Sequence, residues 1–286
     1  NNNILESIKS NIFAKNLQLK TVYFQDNRLN EISGSLLTQV EAITFADFSN
    51  NVCLNATLPD TKITPEIISK CSSPITFTCE YVFDANNIYT CNASMDDITD
   101  ENVNTINFVG KHVEGNGDED VRRLLIDSQV MKFYPPKVLA KFLPSINIIT
   151  IMRSELTKIR KIDFEPYSSL DTLIINGNVI EEIEANAFER LTLKELDLSF
   201  NNITALPEKI FSKMNKLQIL RLDFNELVNL EKDVLPCTKK IKEFTVSSNM
   251  LENVDTGIVK CLLNANKIDF SKNPCIDFKT TDAKKL

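Results

Sequence analysis

Apolar residues return along this chain in one arrangement, L-x-x-L-x-L-x-x-N, with a further apolar residue two places on. Leu193, Leu196, Leu198 and Asn201 fill one copy, and Ile203 follows. Its middle positions alternate apolar and polar, which is the period of a strand and sets Leu196 and Leu198 on one face. Past the asparagine the alternation stops. Pro207 has no backbone N–H to give to a ladder, so the second half of the copy is expected to return irregularly. Leu193, Leu196, Leu198 and Ile203, joined by Leu206 and Phe211 from the return, predict one apolar cluster per copy.

The copies are evenly spaced. Asn201, Asn225, Asn249 and Asn273 lie 24 residues apart, and Asn178 precedes Asn201 by 23. One coil cannot bury its apolar face alone, but stacked coils bury it between neighbours along a parallel sheet. The asparagine sits where the chain leaves the strand and backbone groups go unpaired. Its amide carries two donors and an acceptor, enough to bridge to the backbone of its own and the next coil. Going upstream, Ser154 fills this slot behind Ile146, Ile149 and Ile151, and Gln129 behind Val121, Leu124 and Ile126. Lys111 is expected to close a short repeat formed by Val103, Ile106 and Phe108. The pattern lapses and resumes at Asn51 (Ile43, Ala46, Phe48) and Asn27 (Leu19, Val22, Phe24). Counting 24 back from Asn27 reaches Asn3, followed by Leu5, so the chain is expected to open inside a repeat, as a fragment would.

This period and template are similar to the leucine-rich repeat. The resemblance implies an α/β solenoid, a horseshoe with a parallel sheet on its concave face and irregular, 3-10 or short-helical segments on its convex side. Function is then expected on a surface rather than in a pocket. Array ends need covers, and the cysteines lie outside the strand cores. Cys53 and Cys275 each stand two places after a slot asparagine, as the first cysteine of a C-terminal cap would; Cys53 is expected to pair with Cys71. Cys79 and Cys91 flank two short strands joined at Asp84 to Asn87, so a bridge across that hairpin is expected to cover a second array. Cys237 and Cys261 each lie twelve residues past their slot asparagine, at equivalent sites of adjacent coils. Neighbouring backbones sit about 5 Å apart, which allows a disulfide; two free thiols on the return face are the alternative. Cys275 is left for a partner beyond this chain. The domain expectation is therefore two units: residues 1–78, the end of one array with its cap, and 79–286, a second array with a cysteine hairpin cap.

Cap cysteines suit an oxidising compartment. Three sequons, at Asn55, Asn92 and Asn202, agree with secretion, although an asparagine-rich chain generates some by chance. A net charge of −7 argues against nucleic acid and anionic lipid as main partners. No apolar run is long enough to span a bilayer. With 6 glycines a phosphate-cradling loop is not expected. The single histidine, His112, cannot supply a triad by itself, and the cysteines lack C-x-x-C spacing for zinc. The acidic run Glu114 to Asp120 misses the register of a calcium loop and is expected to be a solvated connection. No catalytic residue, metal or cofactor is assigned.

The outward strand positions carry the candidate chemistry. Leu125, Ile148, Met152, Ile174 and Ile219 put apolar residues on a face expected to be wet. Glu195, Asp197, Asp223 and Asp269 make its C-terminal half acidic, broken by Arg221. Apolar residues among polar ones are the anatomy of a protein contact, although scattered surface hydrophobes occur without one. Phe200 and Phe224 share one slot of adjacent coils, among the outward positions, and are expected to stack as spine residues rather than to serve as ligand anchors.

The run from Leu196 to Phe211 resembles the typical subfamily of extracellular leucine-rich repeats. Cys79-Glu-Tyr-Val-Phe83, Tyr89-Thr-Cys91, the stretch Ile106 to Gly115 and the Val121 to Ile126 coil are similar to secreted leucine-rich-repeat proteins of dipteran insects, including mosquito immune proteins, and more distantly to Toll-type ectodomains. That resemblance implies a non-catalytic protein that binds a protein partner in innate immunity, with homo- or hetero-dimers among its assemblies. The chain's last residues, Lys284, Lys285 and Leu286, carry no heptad pattern. A cell-surface receptor or adhesion ectodomain that self-associates is the other reading.

Overall fold

The computed structural model describes residues 75–98 and 106–281 without a break, and upstream of them residues 5, 7–8, 16, 18–29, 31–32, 43–51 and 57–59. The chain divides into two compact units, 1–76 with 100–107, and 77–99 with 108–286.

In the second unit the alternating segments form strands and the strands stack. Tyr89–Met95, Arg123–Asp127, Ile148–Met152, Thr172–Asn176, Glu195–Asp197, Ile219–Arg221, Glu243–Thr245 and Lys267–Asp269 are successive parallel neighbours in one sheet. Their register is that of the repeat: Leu124, Ile149, Leu173, Leu196, Leu220, Phe244 and Ile268 stand opposite one another and are fully buried. This row, with Leu193, Leu198, Ile203 and Phe211, is the continuous core that no single coil could form. Leu206 is only half-buried.

The return sides are short and varied. They hold helices at Pro136–Phe142, Lys161–Phe164 and Ile258–Cys261, 3-10 turns at Asp118–Asp120 and Lys232–Val234, and two-residue parallel pairs such as Asn229–Leu230 with Asn253–Val254. This is a solenoid of the leucine-rich-repeat kind. Beneath one return, the hydroxyls of Tyr134 and Tyr167 meet at 2.9 Å in the core, and burial pushes both phenols above their ordinary range. Arg160 closes the same region: it donates to Asp163 at 2.9 Å and to the Tyr134 carbonyl at 2.7 Å.

Both ends of the sheet differ from the middle. At one end Ile75–Phe83 and Tyr89–Met95 form an antiparallel hairpin, with Asp84 organising the turn through the N–H groups of Asn86 and Ile88. The hairpin is itself part of the sheet, because its second strand pairs with the first coil. At the other end Lys279–Thr280 turns back antiparallel on Lys267–Asp269. One expectation is corrected here. Ile106–Lys111 is not a short coil closed by Lys111; it is an edge strand beyond Ile75–Phe83, outside the coil succession, and Lys111 is exposed. The apolar residues of that stretch serve the hairpin instead, with Phe108 stacked on Phe77 at 5.4 Å.

In the first unit Thr21–Tyr23 runs parallel to Phe45–Asp47, which pairs antiparallel with Thr57–Pro59. Ser7–Ile8 pairs with Glu31–Ile32.

Candidate functional site: the sheet face and its edge

The asparagines come first, because they fix the geometry of everything outside them. Asn178, Asn201, Asn225, Asn249 and Asn273 are buried at 5–7% exposure. The Asn225 carbonyl oxygen accepts from the Ile203 N–H at 3.1 Å, and its nitrogen donates to the carbonyls of Leu198 (2.9 Å) and Leu222 (3.1 Å). The bridge therefore runs to the preceding coil, not to the next one as expected. The reason is the direction of stacking: the Leu198 carbonyl and the Ile203 N–H flank the preceding turn on the side that faces Asn225. Each strand-end carbonyl also serves two amides. Leu198 accepts from Asn201 and Asn225, Leu222 from Asn225 and Asn249, and Val246 from Asn249 and Asn273. The result is one alternating chain of amides and carbonyls along the unit. Asn27 and Asn51 repeat this at the Phe24 carbonyl in the first unit. Gln129 and Ser154 keep part of the function: the Gln129 oxygen takes the Met95 N–H, and the Ser154 hydroxyl takes the Gln129 N–H.

The residue before each slot is forced into the left-handed region. Asp26, Asn50, Ser128, Arg153, Gly177, Phe200, Phe224, Ser248 and Lys272 all have φ between 48° and 63°. Small, polar or flexible residues take this conformation at modest cost, whereas a bulky aromatic there is an outlier. Phe200 and Phe224 are the aromatics that accept it. They stack on each other as expected, at 4.3 Å with planes 10° apart, and stand 53% and 45% exposed. A left-handed residue one place before a buried asparagine throws its side chain outward.

The outward strand positions lie in two rows. Ile148, Thr172, Glu195, Ile219, Glu243 and Lys267 face the same way in register, as do Leu125, Thr150, Ile174, Asp197, Arg221, Thr245 and Asp269. Met152 lies at the strand end beside Asp127 and Asn176. Leu125, Ile148, Met152, Ile174 and Ile219 are all half-buried, so they are neither core nor free. The first four stand at diagonal positions around Thr150 on three consecutive strands, with Leu125 and Ile174 directly opposite Thr150, while Ile219 stands between Glu195 and Glu243.

The acidic half is different from its expectation. Asp197 and Asp269 are buried at 7% and 6% exposure, and their carboxylates accept from Ser199 and Ser271 in the turns that follow. Lys279 reaches Asp269 at 2.8 Å. Asp223 accepts from Thr245 and from the Ser247 N–H and hydroxyl of the next coil. Arg221 spans both neighbours, bonding Glu195 at 2.6 Å and Glu243 at 2.8 Å, and Lys267 adds to Glu243 at 3.0 Å. Desolvation opposes the Arg221 charge, but its carboxylate partners outweigh it and hold the guanidinium above its ordinary range. Desolvation likewise works against ionised Glu243, and Arg221 and Lys267 outweigh it, leaving that carboxyl below its ordinary range. These carboxylates hold strands and turns together; they are not free acid groups awaiting a partner. Spacing placed them on one face, but it could not show that a lysine from Lys279–Thr280 and serines from the turns would reach them.

The cysteine expectations fall in three groups. Cys79 and Cys91 are placed at bonding distance across the hairpin, with Cα atoms 5.0 Å apart. Cys237 and Cys261 are likewise placed at bonding distance, one coil apart, so the free-thiol alternative is not the arrangement found. Cys275 is free and exposed. Cys53 and Cys71 lie outside the described residues. Alkylation of the native protein in the absence of reductant is expected to label Cys275 and to spare Cys79, Cys91, Cys237 and Cys261. Labelling of Cys261 in peptide mass analysis would contradict the second pair.

Of the sequons, Asn92 lies in the hairpin strand opposite Leu125 and shares its face, Asn202 follows the slot residue Asn201 and is half-buried, and Asn55 lies outside the described residues. His112 is a structural clasp. Its Nδ1 lies 3.0 Å from the Tyr89 hydroxyl, its Nε2 lies 2.9 Å from Asp118, and its ring stacks on Tyr81 at 3.9 Å. Asp118 belongs to the acidic run, so this run is tied back to the hairpin by His112 and Tyr81. Among the described residues no group of three or more His, Cys, Asp or Glu side chains is placed to hold a metal ion. No helix among them is long and apolar enough to cross a membrane.

The family comparison agrees with this architecture. Residues 192–251 match the family described as Leucine rich repeat. A stretch of 72 residues, 25% of this chain, is 33% identical to mouse leucine-rich repeats and immunoglobulin-like domains protein 2, of which it covers 7%. Among solved structures, the APL1 leucine-rich repeat domain aligns over 91% of this chain and 56% of its own at 23% identity, with a TM-score of 0.41. A chain of the TLR13–ssRNA13 complex aligns over 93% of this chain and 38% of its own at 16% identity, also with a TM-score of 0.41. The chain thus spans well under two thirds of each of these proteins. Residues 192–251 are leucine-rich repeats, set within a solenoid of the same kind.

Proposed function

We propose that the second unit is a non-catalytic binding surface of an extracellular protein, and that it takes a protein partner on the N-terminal half of its outward sheet face. The observation that carries this is the cluster Leu125, Ile148, Met152 and Ile174, half-buried on three adjacent strands. Several half-buried apolar side chains gathered around Thr150 on a polar face mark a contact surface. The acidic half enters differently from its sequence expectation: its charges are satisfied within the chain, so it forms a rigid polar border to the contact. The cysteine pairs at bonding distance and the sequons support an oxidising, extracellular setting. The resemblance of the Cys79 to Cys91 hairpin and the coil after it to secreted insect proteins supports innate-immune recognition as the role. Two arrays, one capped and one opened by the hairpin, remain the proposed organisation.

The test is a binding screen of the secreted full chain against an array of extracellular proteins from the same source, repeated with Leu125→Glu/Ile174→Glu. A captured partner is expected to bind the double variant at least about tenfold more weakly, a scale typical of contact residues at the centre of an interface. The melting temperature is expected to stay close to that of the parent. Undiminished capture by the double variant would remove this face from the function. Sedimentation that changes with concentration, without any captured partner, would favour the self-associating ectodomain instead.

A further inference from the structure

Phe200 and Phe224 are exposed, aromatic and left-handed at once. Each of these properties alone is tolerable, but together they ask for a compensating contact, because a bulky residue held at positive φ carries strain that persists only where something offsets it. Equivalent slots are filled elsewhere by Ser128 and Ser248, so the fold itself does not require an aromatic ring there. The rings cover each other on one side, at 4.3 Å, and about half of each residue's surface stays exposed.

Asn202 stands two residues from Phe200 and opens the sequence Asn202-Ile203-Thr204. Exposure alternates along this stretch. Phe200 is exposed, Asn201 is buried, Asn202 is half-buried and Ile203 is buried. Phe200 and Asn202 thus flank the buried Asn201 in the turn after the strand, neither side chain buried, and two Cα–Cα steps hold them within about 7 Å. The Asn202 backbone N–H is held by the Ile180 carbonyl at 3.0 Å. Its side-chain amide has no partner among the described residues. A ring-sized group attached to that amide would lie beside the aromatic pair.

We propose that Asn202 carries an N-linked glycan whose first N-acetylglucosamine packs over the Phe200–Phe224 pair, so that this apolar spot is covered by the chain's own sugar rather than by a partner protein. This rests on the extracellular reading above. The attachment takes a polyprenyl-pyrophosphate-linked oligosaccharide as donor. The Asn202 amide nitrogen loses a proton and bonds to the anomeric carbon, the bond from that carbon to the pyrophosphate oxygen breaks, and the lipid pyrophosphate leaves. The contact has a physical basis: a pyranose ring presents a face of C–H groups, and an aromatic ring presents a negative π face to them. Asn92, whose surroundings contain no such exposed pair on its own strand face, serves as an internal control.

The experiment expresses the full chain in secreting insect cells and maps occupancy at Asn92 and Asn202 by mass spectrometry. Asn202 is expected to be occupied. Trimming its glycan to the first sugar with an endoglycosidase is expected to leave the melting temperature unchanged. Preventing attachment, by Thr204→Ala or Asn202→Gln, is expected to lower it by about 2–4 °C, the scale of one modest contact in a domain of this size. In the background Phe200→Ser/Phe224→Ser, which uses the residue found in the equivalent slots, the same removal is expected to shift it by less than about 1 °C, because the coupling is gone. An unoccupied Asn202 beside an occupied Asn92, or an equal shift in both backgrounds, overturns the stacking proposal and leaves the extracellular reading standing. A secreted protein with neither Asn92 nor Asn202 occupied overturns the glycan proposal, and a chain that is not secreted overturns the extracellular reading.

Discussion

Replacing Asn225 by alanine is expected to cost the second unit about 2–4 kcal/mol, seen as a fall of roughly 6–12 °C in its melting temperature. The size follows from what is orphaned. The Ile203 N–H is buried, and the Asn225 oxygen is the partner found for it. Alanine leaves that donor unpaired in a dry stack and opens a void where the amide was. The Leu198 and Leu222 carbonyls lose one of their two amides and keep the other, through Asn201 and Asn249. The loss should therefore be large without being catastrophic. Asn225→Ser should fall between the two, since Ser154 already works in one slot with a hydroxyl that accepts one N–H and donates to one carbonyl. Urea melts of the three proteins decide it. An alanine variant as stable as its parent would mean that the amide chain does not hold the coils in register.

The spacing of the slot residues, Gln129 and Ser154 and then the asparagines, was sufficient to place every strand of the solenoid from Arg123 to Asp269, because a repeat of nearly constant length can bury its apolar positions in only one register. It also located the hairpin, since two cysteines around a turn-forming Asp84 leave few alternatives. What was not legible depended on neighbours that the sequence does not place. Ile106 and Phe108 have the right spacing for a coil, but the hairpin offered them an unpaired strand edge, and edge pairing won. That Phe200 and Phe224 stack followed from their shared slot. How far they stand exposed did not, because it depends on the left-handed conformation of that slot, common to nine coil turns, and only Gly177 hinted at it from composition.

The candidate face was half legible for a similar reason. Which residues share a face follows from strand period alone, so Leu125, Ile148, Met152 and Ile174 could be grouped without coordinates. Whether a carboxylate on that face is free depends on what stands one coil away. Asp223 is paired by residues 22 and 24 positions downstream, Thr245 and Ser247. The repeat that makes the fold predictable thus also lets a polar ladder satisfy itself between coils. A charge count along one face overstates what it offers to a partner.

Arg221 is where this ladder should be most costly to break. Removing it as Arg221→Met keeps much of the aliphatic stem and leaves Glu195 and Glu243, both mostly buried, without their shared guanidinium. Breaking a buried pair from one side typically costs about 3–5 kcal/mol; with Lys267 still at 3.0 Å from Glu243, and with partial exposure screening the charges, about 2 kcal/mol is expected at neutral pH. The pH dependence gives the result its signature. Glu243 is held below its ordinary value of 4.5, so as pH falls the unfolded chain takes up the proton before the folded one does. The stabilisation from the pair is then complete above that ordinary value and is lost as pH falls through the lower folded one. The gap in stability between parent and Arg221→Met should accordingly be widest at pH 7 and narrow as pH falls below 4.5 and through the lowered folded value of Glu243. Adding Glu243→Gln to the arginine variant should recover part of the loss at pH 7. A gap that persists unchanged at pH 3 would show that Arg221 acts by packing alone, and the ion ladder would no longer explain why so acidic a face folds.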